Sequence, residues 1–108
     1  MNINYFHKKQ IKKAFKERGI TKCCYCGIEE KDFKGIWGTF RHGRRGVTLE
    51  VDRKDPKGSY SEPNCVLACY ACNNAKSDVF CYEEFKRVGD VIKEIWQHRI
   101  EQGKQGQI

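Results

Sequence analysis

Apolar positions recur at helical spacing near the start of the chain. Ile11, Ala14, Phe15 and then Arg18 mark one stripe, while Lys8, Lys9, Lys12, Lys13 and Lys16 crowd the remaining surface. This pattern predicts a helix over residues 4–18, ended by Gly19. A turn-like knuckle follows at Cys23-Cys24-Tyr25-Cys26-Gly27. Residues 28–45 contain glycine, show no periodicity and are expected to be irregular, with a basic tail Arg41-His42-Gly43-Arg44-Arg45. Residues 47–51 (Val-Thr-Leu-Glu-Val) alternate apolar and polar, which predicts a half-buried strand. The breaker-rich stretch 55–63 predicts a turn, and Val66 and Leu67 predict a short second strand over 64–69. Residues 72–76 read as a short helix. A longer helix is expected over 82–100, its core stripe being Phe85, Val88, Ile92, Ile95, Trp96 and Arg99. The tail beyond it is expected to fray.

Length and charge narrow the class. A chain of 108 residues suggests one domain, small enough that a metal staple commonly supplements its core. Lysine and arginine total 21 against 14 acidic residues, a net charge of +7 that suits a polyanionic partner. A merely solvated surface is the plainer reading, and the lysine run of the first helix fits either. Nucleic-acid contacts are expected from Arg41, Arg44 and Arg45, which lie close in sequence to Asp52, and from Lys12 and Lys16. No apolar signal segment opens the sequence, and no stretch approaches the roughly 18 apolar residues of a membrane helix. The reading is a cytoplasmic protein in a reducing cytosol.

Seven cysteines in so short a chain add specific chemistry. Cys23-x-x-Cys26 and Cys69-x-x-Cys72 have the spacing by which two thiolates of one turn grip the same tetrahedral zinc. Two such pairs leave no open coordination position, so the zinc would be structural. The pairs are separated by 69 − 26 − 1 = 42 residues, more than the about 15–20 of a zinc ribbon. Something folded must lie between them, and the predicted strands supply it. Cys65 and Cys81 suit an unliganded role. A set of buried thiols or a redox pair would be the alternatives for the four.

Between the knuckles runs Leu49-Glu50-Val51-Asp52-Arg53-Lys54-Asp55-Pro56-Lys57-Gly58-Ser59-Tyr60, then Asn64-Cys65-Val66-Leu67-Ala68-Cys69-Tyr70-Ala71-Cys72-Asn73-Asn74-Ala75-Lys76. A knuckle, a strand ending in an aspartate dyad, a turn, an asparagine before a second strand, and C-x-x-C-N-x-x-K opening a helix resemble the HNH (ββα-metal, His-Me finger) endonucleases. The Asp-Arg form resembles small phage-type members and a restriction enzyme of that family. The resemblance spans about residues 23–100. It implies an α+β fold: a small ββα-metal core stapled by a four-cysteine zinc site, with flanking helices at both ends. The expected single domain, 1–108, divides into a basic N-terminal helix (1–22), the zinc and ββα core (23–81), a C-terminal helix (82–101) and a tail (102–108).

The resemblance further implies a metal-dependent DNA endonuclease that leaves a 5′-phosphate and a 3′-hydroxyl. Hard oxygen donors suit Mg²⁺ or Mn²⁺, and the resemblance makes Asp52 and Asn73 the ligands of that second, catalytic ion. Asn64 would brace the loop between the strands and orient the general base, unless it is an ordinary turn-ending asparagine. Arg53 stands where most members carry histidine. A guanidinium keeps its proton at neutral pH, so it is a poor base but a good clamp for the scissile phosphate. The base would then be His42, Tyr25, Tyr60 or metal-activated water, although each side chain has a plainer use: a loop contact, packing on the knuckle, a turn anchor. Arg53 could also mark an inactive relative. The alternatives to a nuclease are a non-catalytic zinc module that binds nucleic acid and a zinc-stapled protein-interaction domain. The sequence does not separate DNA from RNA, and the apolar part of the long helix could support a homodimer.

Overall fold

The computed structural model describes residues 3–38 and 45–104. Its elements are α1 (Ile3–Glu17), a 3₁₀ turn (Glu30–Asp32), α2 (Phe33–Trp37), β1 (Glu50–Arg53), a second 3₁₀ turn (Glu62–Asn64), β2 (Cys65–Ala68), α3 (Tyr70–Lys76) and α4 (Tyr82–Lys104). β1 and β2 form an antiparallel pair in which Glu50 faces Ala68 and Arg53 faces Cys65. With α3 following β2 directly, the centre is a ββα unit, flanked by α1 and α4. The fold is α+β, as expected. Among the described residues no helix is long and apolar enough to cross a membrane.

The helical stripes form the core. Ile11 and Phe15 bury one face of α1, and Phe85 and Trp96 bury one face of α4. Gly19 closes α1 with φ +86°, a left-handed turn that L side chains resist. Leu49, Leu67, Phe33 and Phe85 are almost fully enclosed between the layers. The knuckle is sewn to the sheet by the Cys24 N–H, which donates to the Leu67 carbonyl at 3.0 Å. α4 presses on the same knuckle through Gly89, where an added Cβ would lie 2.5 Å from the Tyr25 carbonyl oxygen. Only a residue without a side chain permits that approach.

Three expectations need correction. The stretch after the knuckle is not wholly irregular: Phe33 and Ile36 are buried by α2, a helix too short for periodicity to reveal. The first strand begins at Glu50 instead of Val47, because Val47 is exposed and the Leu49 N–H donates to the Glu30 carboxylate (2.7 Å) and not to a strand partner. On α4, Ile95 is 46% exposed and is not core, and Arg99 reaches across to donate to the Ile36 carbonyl at 3.1 Å.

Glu30 therefore ties three elements together, accepting from Leu49 before β1 and from the Lys16 ammonium of α1 at 2.5 Å. Burial pushes its carboxyl up, but Lys16 and the Leu49 N–H outweigh that and hold it below the usual carboxylate range. Glu30→Gln is expected to cost about 1–3 kcal/mol at neutral pH. A carboxyl with a depressed folded pKa supplies its stability above the unfolded value, about 4.3, and loses it as pH falls through the folded one. Urea midpoints of wild type and variant should thus differ at pH 7 and converge as pH falls below the folded value.

Candidate active site

The two C-x-x-C pairs meet. The sulfurs of Cys23, Cys26, Cys69 and Cys72 all lie within 4.8 Å of one another, and all four residues are buried. Cys26 and Cys69 approach to 3.7 Å, close to the about 3.8 Å edge of a tetrahedron with 2.3 Å metal–sulfur bonds and far from a disulfide bond of about 2.05 Å. Backbone N–H groups already turn toward the sulfurs: Tyr25 and Cys26 donate to Cys23, and Cys72 donates to Cys69. Such bonds favour thiolate over thiol, and four thiolates this close require a cation. The quartet fits a tetrahedral metal such as zinc. Cys24 is exposed and lies outside the quartet, and Cys65 is buried without joining it. Cys69 also caps α3, so a metal held here would fix the start of that helix against the knuckle.

Asp52 lies in β1 with only 6% of its surface exposed. Its Oδ2 accepts from the Tyr25 hydroxyl at 2.6 Å, and the Lys76 ammonium sits 3.3 Å from both carboxylate oxygens. Lys76 is fully buried, and its Nζ also donates to the Arg53 carbonyl at 2.7 Å. Burial pushes the Asp52 carboxyl up despite these two donors. Tyr25 is packed edge-on against Phe85 (5.2 Å between ring centres), and burial together with the Asp52 bond pushes its phenol far above the usual range. Tyr25 therefore donates as a neutral phenol and holds no proton-accepting capacity near neutral pH. In the sequence Lys76 is only the last letter of C-N-x-x-K. Its position four residues after Cys72 puts both on the inward face of α3.

Arg53 closes β1 and turns to the hairpin loop. Its Nη1 donates to the Gly58 carbonyl at 3.1 Å, its Nη2 lies 3.5 Å from Asp78, and its guanidinium stands 4.6 Å from the centre of the Tyr60 ring. The Lys8 ammonium of α1 meets the same ring at 4.8 Å. The Asn64 amide spans the loop, accepting from the Asp55 N–H and donating to the carbonyls of Asp55 and Ser59. A Cβ at Gly58 would lie 2.6 Å from that amide nitrogen, so the brace and the glycine belong together.

Asp52, Arg53, Tyr60, Asn73, Lys76 and Asp78 open into one recess of about 90 Å³. At about 30 Å³ per water molecule, that is room for an ion and a few waters. A carboxylate from β1 and an amide from α3, bordered by an arginine, line it, and these are residue types that can offer oxygen to a hard divalent cation. The Asn73 Nδ2 donates to Glu50 at 2.8 Å. The expected nucleic-acid contacts are engaged within the chain: Lys16 pairs with Glu30, Lys12 donates to Thr48 at 2.7 Å, and Arg45 binds both Glu50 and Asn74. Arg41, His42 and Arg44 lie outside the described residues.

Comparison with protein-family models and with curated proteins finds no match. Among solved structures the chain is similar to the rare-cutting HNH restriction endonuclease PacI, with 38% sequence identity and a TM-score of 0.65. The likeness covers 72% of this chain and 55% of that one, so the chain spans about half the length of the enzyme it resembles.

Proposed function

We propose that this chain is a metal-dependent DNA endonuclease of the HNH type, in the Asp-Arg form, with zinc on Cys23, Cys26, Cys69 and Cys72 and Mg²⁺ or Mn²⁺ on Asp52 and Asn73. The observation that carries this reading is the meeting of Asp52, Asn73 and Arg53 in one small recess, in a chain similar in structure to an HNH restriction endonuclease. A bound divalent cation would neutralise charge on the scissile phosphate and the leaving oxygen. The chain's own part is to aim the substrate. Arg53 borders the recess; turned from Gly58 and Asp78, its fork would grip the phosphate there and stabilise the five-coordinate state reached as water attacks. Tyr25 and Lys76 hold Asp52 in place, and the Asn64 brace fixes the loop that carries Gly58 and Tyr60 beside Arg53.

One observation favours a non-catalytic zinc module that binds nucleic acid: both Asp52 oxygens already have protein partners. Turnover separates the two readings. With Mg²⁺ or Mn²⁺, the protein should relax supercoiled plasmid, and Arg53→Ala should slow the step by about 10²–10³-fold. The loss should appear mainly in kcat, with Arg53→Lys recovering little because an ammonium lacks the planar fork. DNA retarded on a gel but uncut under every divalent metal would instead establish the binding module.

A further inference from the structure

Glu50 lies two residues before Asp52 in β1, so the two side chains leave the same face of the strand, their Cα atoms about 7 Å apart. That face looks at α3, where Asn73 donates its Nδ2 to Glu50 Oε1 at 2.8 Å. Glu50 is itself held in a fork by Arg45, whose Nη2 and Nε donate to its two oxygens at 2.9 and 3.2 Å. Arg45 is anchored in turn on Asn74 (3.0 Å) and against the Tyr70 ring (4.7 Å).

These contacts decide which way the Asn73 amide faces. A carboxylate paired with arginine can only accept hydrogen bonds, whereas an amide offers a donor end and an acceptor end. The Asn73 nitrogen must therefore meet Glu50, which turns the oxygen to the other side. Asn73 borders the recess with Asp52, and a hard cation there would bind that oxygen and not the nitrogen. We propose that Glu50 is a positioning residue: it aims the Asn73 amide oxygen into the recess as a cation ligand, with Arg45 occupying the carboxylate so that Glu50 does not itself take the ion. This inference rests on the metal-dependent reading above. Outer hydrogen-bond partners of metal ligands commonly carry about 10–100-fold in affinity, so the expected effect is measurable.

The test uses the zinc-loaded chain with Mn²⁺ and no DNA. Mn²⁺ binding is followed by the loss of the free-ion electron paramagnetic resonance signal, and the Asn73 side-chain NH₂ pair is followed by ¹H–¹⁵N NMR. In wild type the Asn73 pair should be slow to exchange with water even before Mn²⁺ is added. Glu50→Ala should release it and weaken Mn²⁺ binding at least about tenfold, with zinc content unchanged. Glu50→Gln keeps an acceptor oxygen and should stay within about threefold of wild type, well below that range. A freely exchanging Asn73 amide in wild type overturns the inference without any variant. So does wild-type Mn²⁺ affinity in Glu50→Ala, or a Glu50→Gln as weak as Glu50→Ala. Asp52→Ala separates the two levels. If it abolishes Mn²⁺ binding while Glu50→Ala does not, the metal site stands and only the role of Glu50 falls. If wild type and Asp52→Ala alike fail to bind Mn²⁺, the metal reading falls and takes this inference with it.

Discussion

Stripping the metal from Cys23, Cys26, Cys69 and Cys72 with a chelator, or replacing Cys72 with serine, is expected to abolish the cooperative thermal transition of the domain. Structural zinc contributes about 10–16 kcal/mol of apparent binding free energy at neutral pH, as much as the whole stability of a typical domain, about 5–15 kcal/mol. Little else would compensate here. The sheet has two strands of four residues each, and an isolated pair of that size does not hold in water. The metal would join the knuckle, which carries Tyr25, to the start of α3, which carries Asn73 and Lys76. Without it the quartet becomes four buried thiols with too few partners. Circular dichroism melts beside zinc analysis measure this: helical signal should fall with the zinc, and a chelated protein that still melts cooperatively would refute the assignment.

Lys76→Met should cost about 3–5 kcal/mol at neutral pH, the usual result of removing one partner of a buried ion pair. The ammonium is the only cation within 4 Å of Asp52 among the described residues. Methionine fills the space and leaves the carboxylate to Tyr25 alone. Burial already pushes the Asp52 carboxyl up, and loss of Lys76 pushes it further. A carboxyl whose folded pKa is raised destabilises the fold once it must ionise. The deficit should therefore be full above the raised folded value and shrink as pH falls through it toward the unfolded one, about 3.9. Adding Asp52→Asn removes the stranded charge, so the double variant should regain much of the loss. Denaturant midpoints across pH report both effects. A single variant as stable as wild type at pH 7 would show that Asp52 does not need its counter-ion.

Much of this architecture could be read from the sequence, for identifiable reasons. The stripes of α1 and α4 are long enough for periodicity to emerge, and the spacing of the cysteine pairs carries its own geometry. What escaped depends on contacts between distant segments. α2 has five residues and a glycine inside it, so it shows no period. The apparent strand at 47–49 alternates correctly, yet β2 is only four residues long and offers Val47 nothing to pair with. Within the recess, Asp52, Arg53 and Asn73 were marked by motif, and the structure brings all three to one place. Lys76 and Glu50 stand within the motif, but the sequence assigns them no role. Lysine is rarely buried, and only the placement of Asp52 behind Tyr25 explains an enclosed ammonium. Glu50 likewise gains meaning once α3 sets Asn73 opposite it. Tyr25 looked like knuckle packing, which it is, but its hydroxyl also reaches Asp52 across 27 residues of sequence.

The most direct measurement is nicking of supercoiled plasmid by the zinc-loaded chain, titrated with Mg²⁺ and Mn²⁺, beside Asp52→Asn. Asparagine keeps the shape of the side chain and an oxygen for Tyr25 and Lys76 but removes the negative charge that would hold the cation. Cleavage should saturate with the divalent ion and fall at least about 10³-fold in the variant, roughly 4 kcal/mol of barrier, with zinc content unchanged. Because the variant strands the buried Lys76 ammonium, it should also be less stable, so both proteins are assayed below its melting transition. Equal cleavage by the two proteins, or none by wild type under either metal, would contradict the metal-dependent reading.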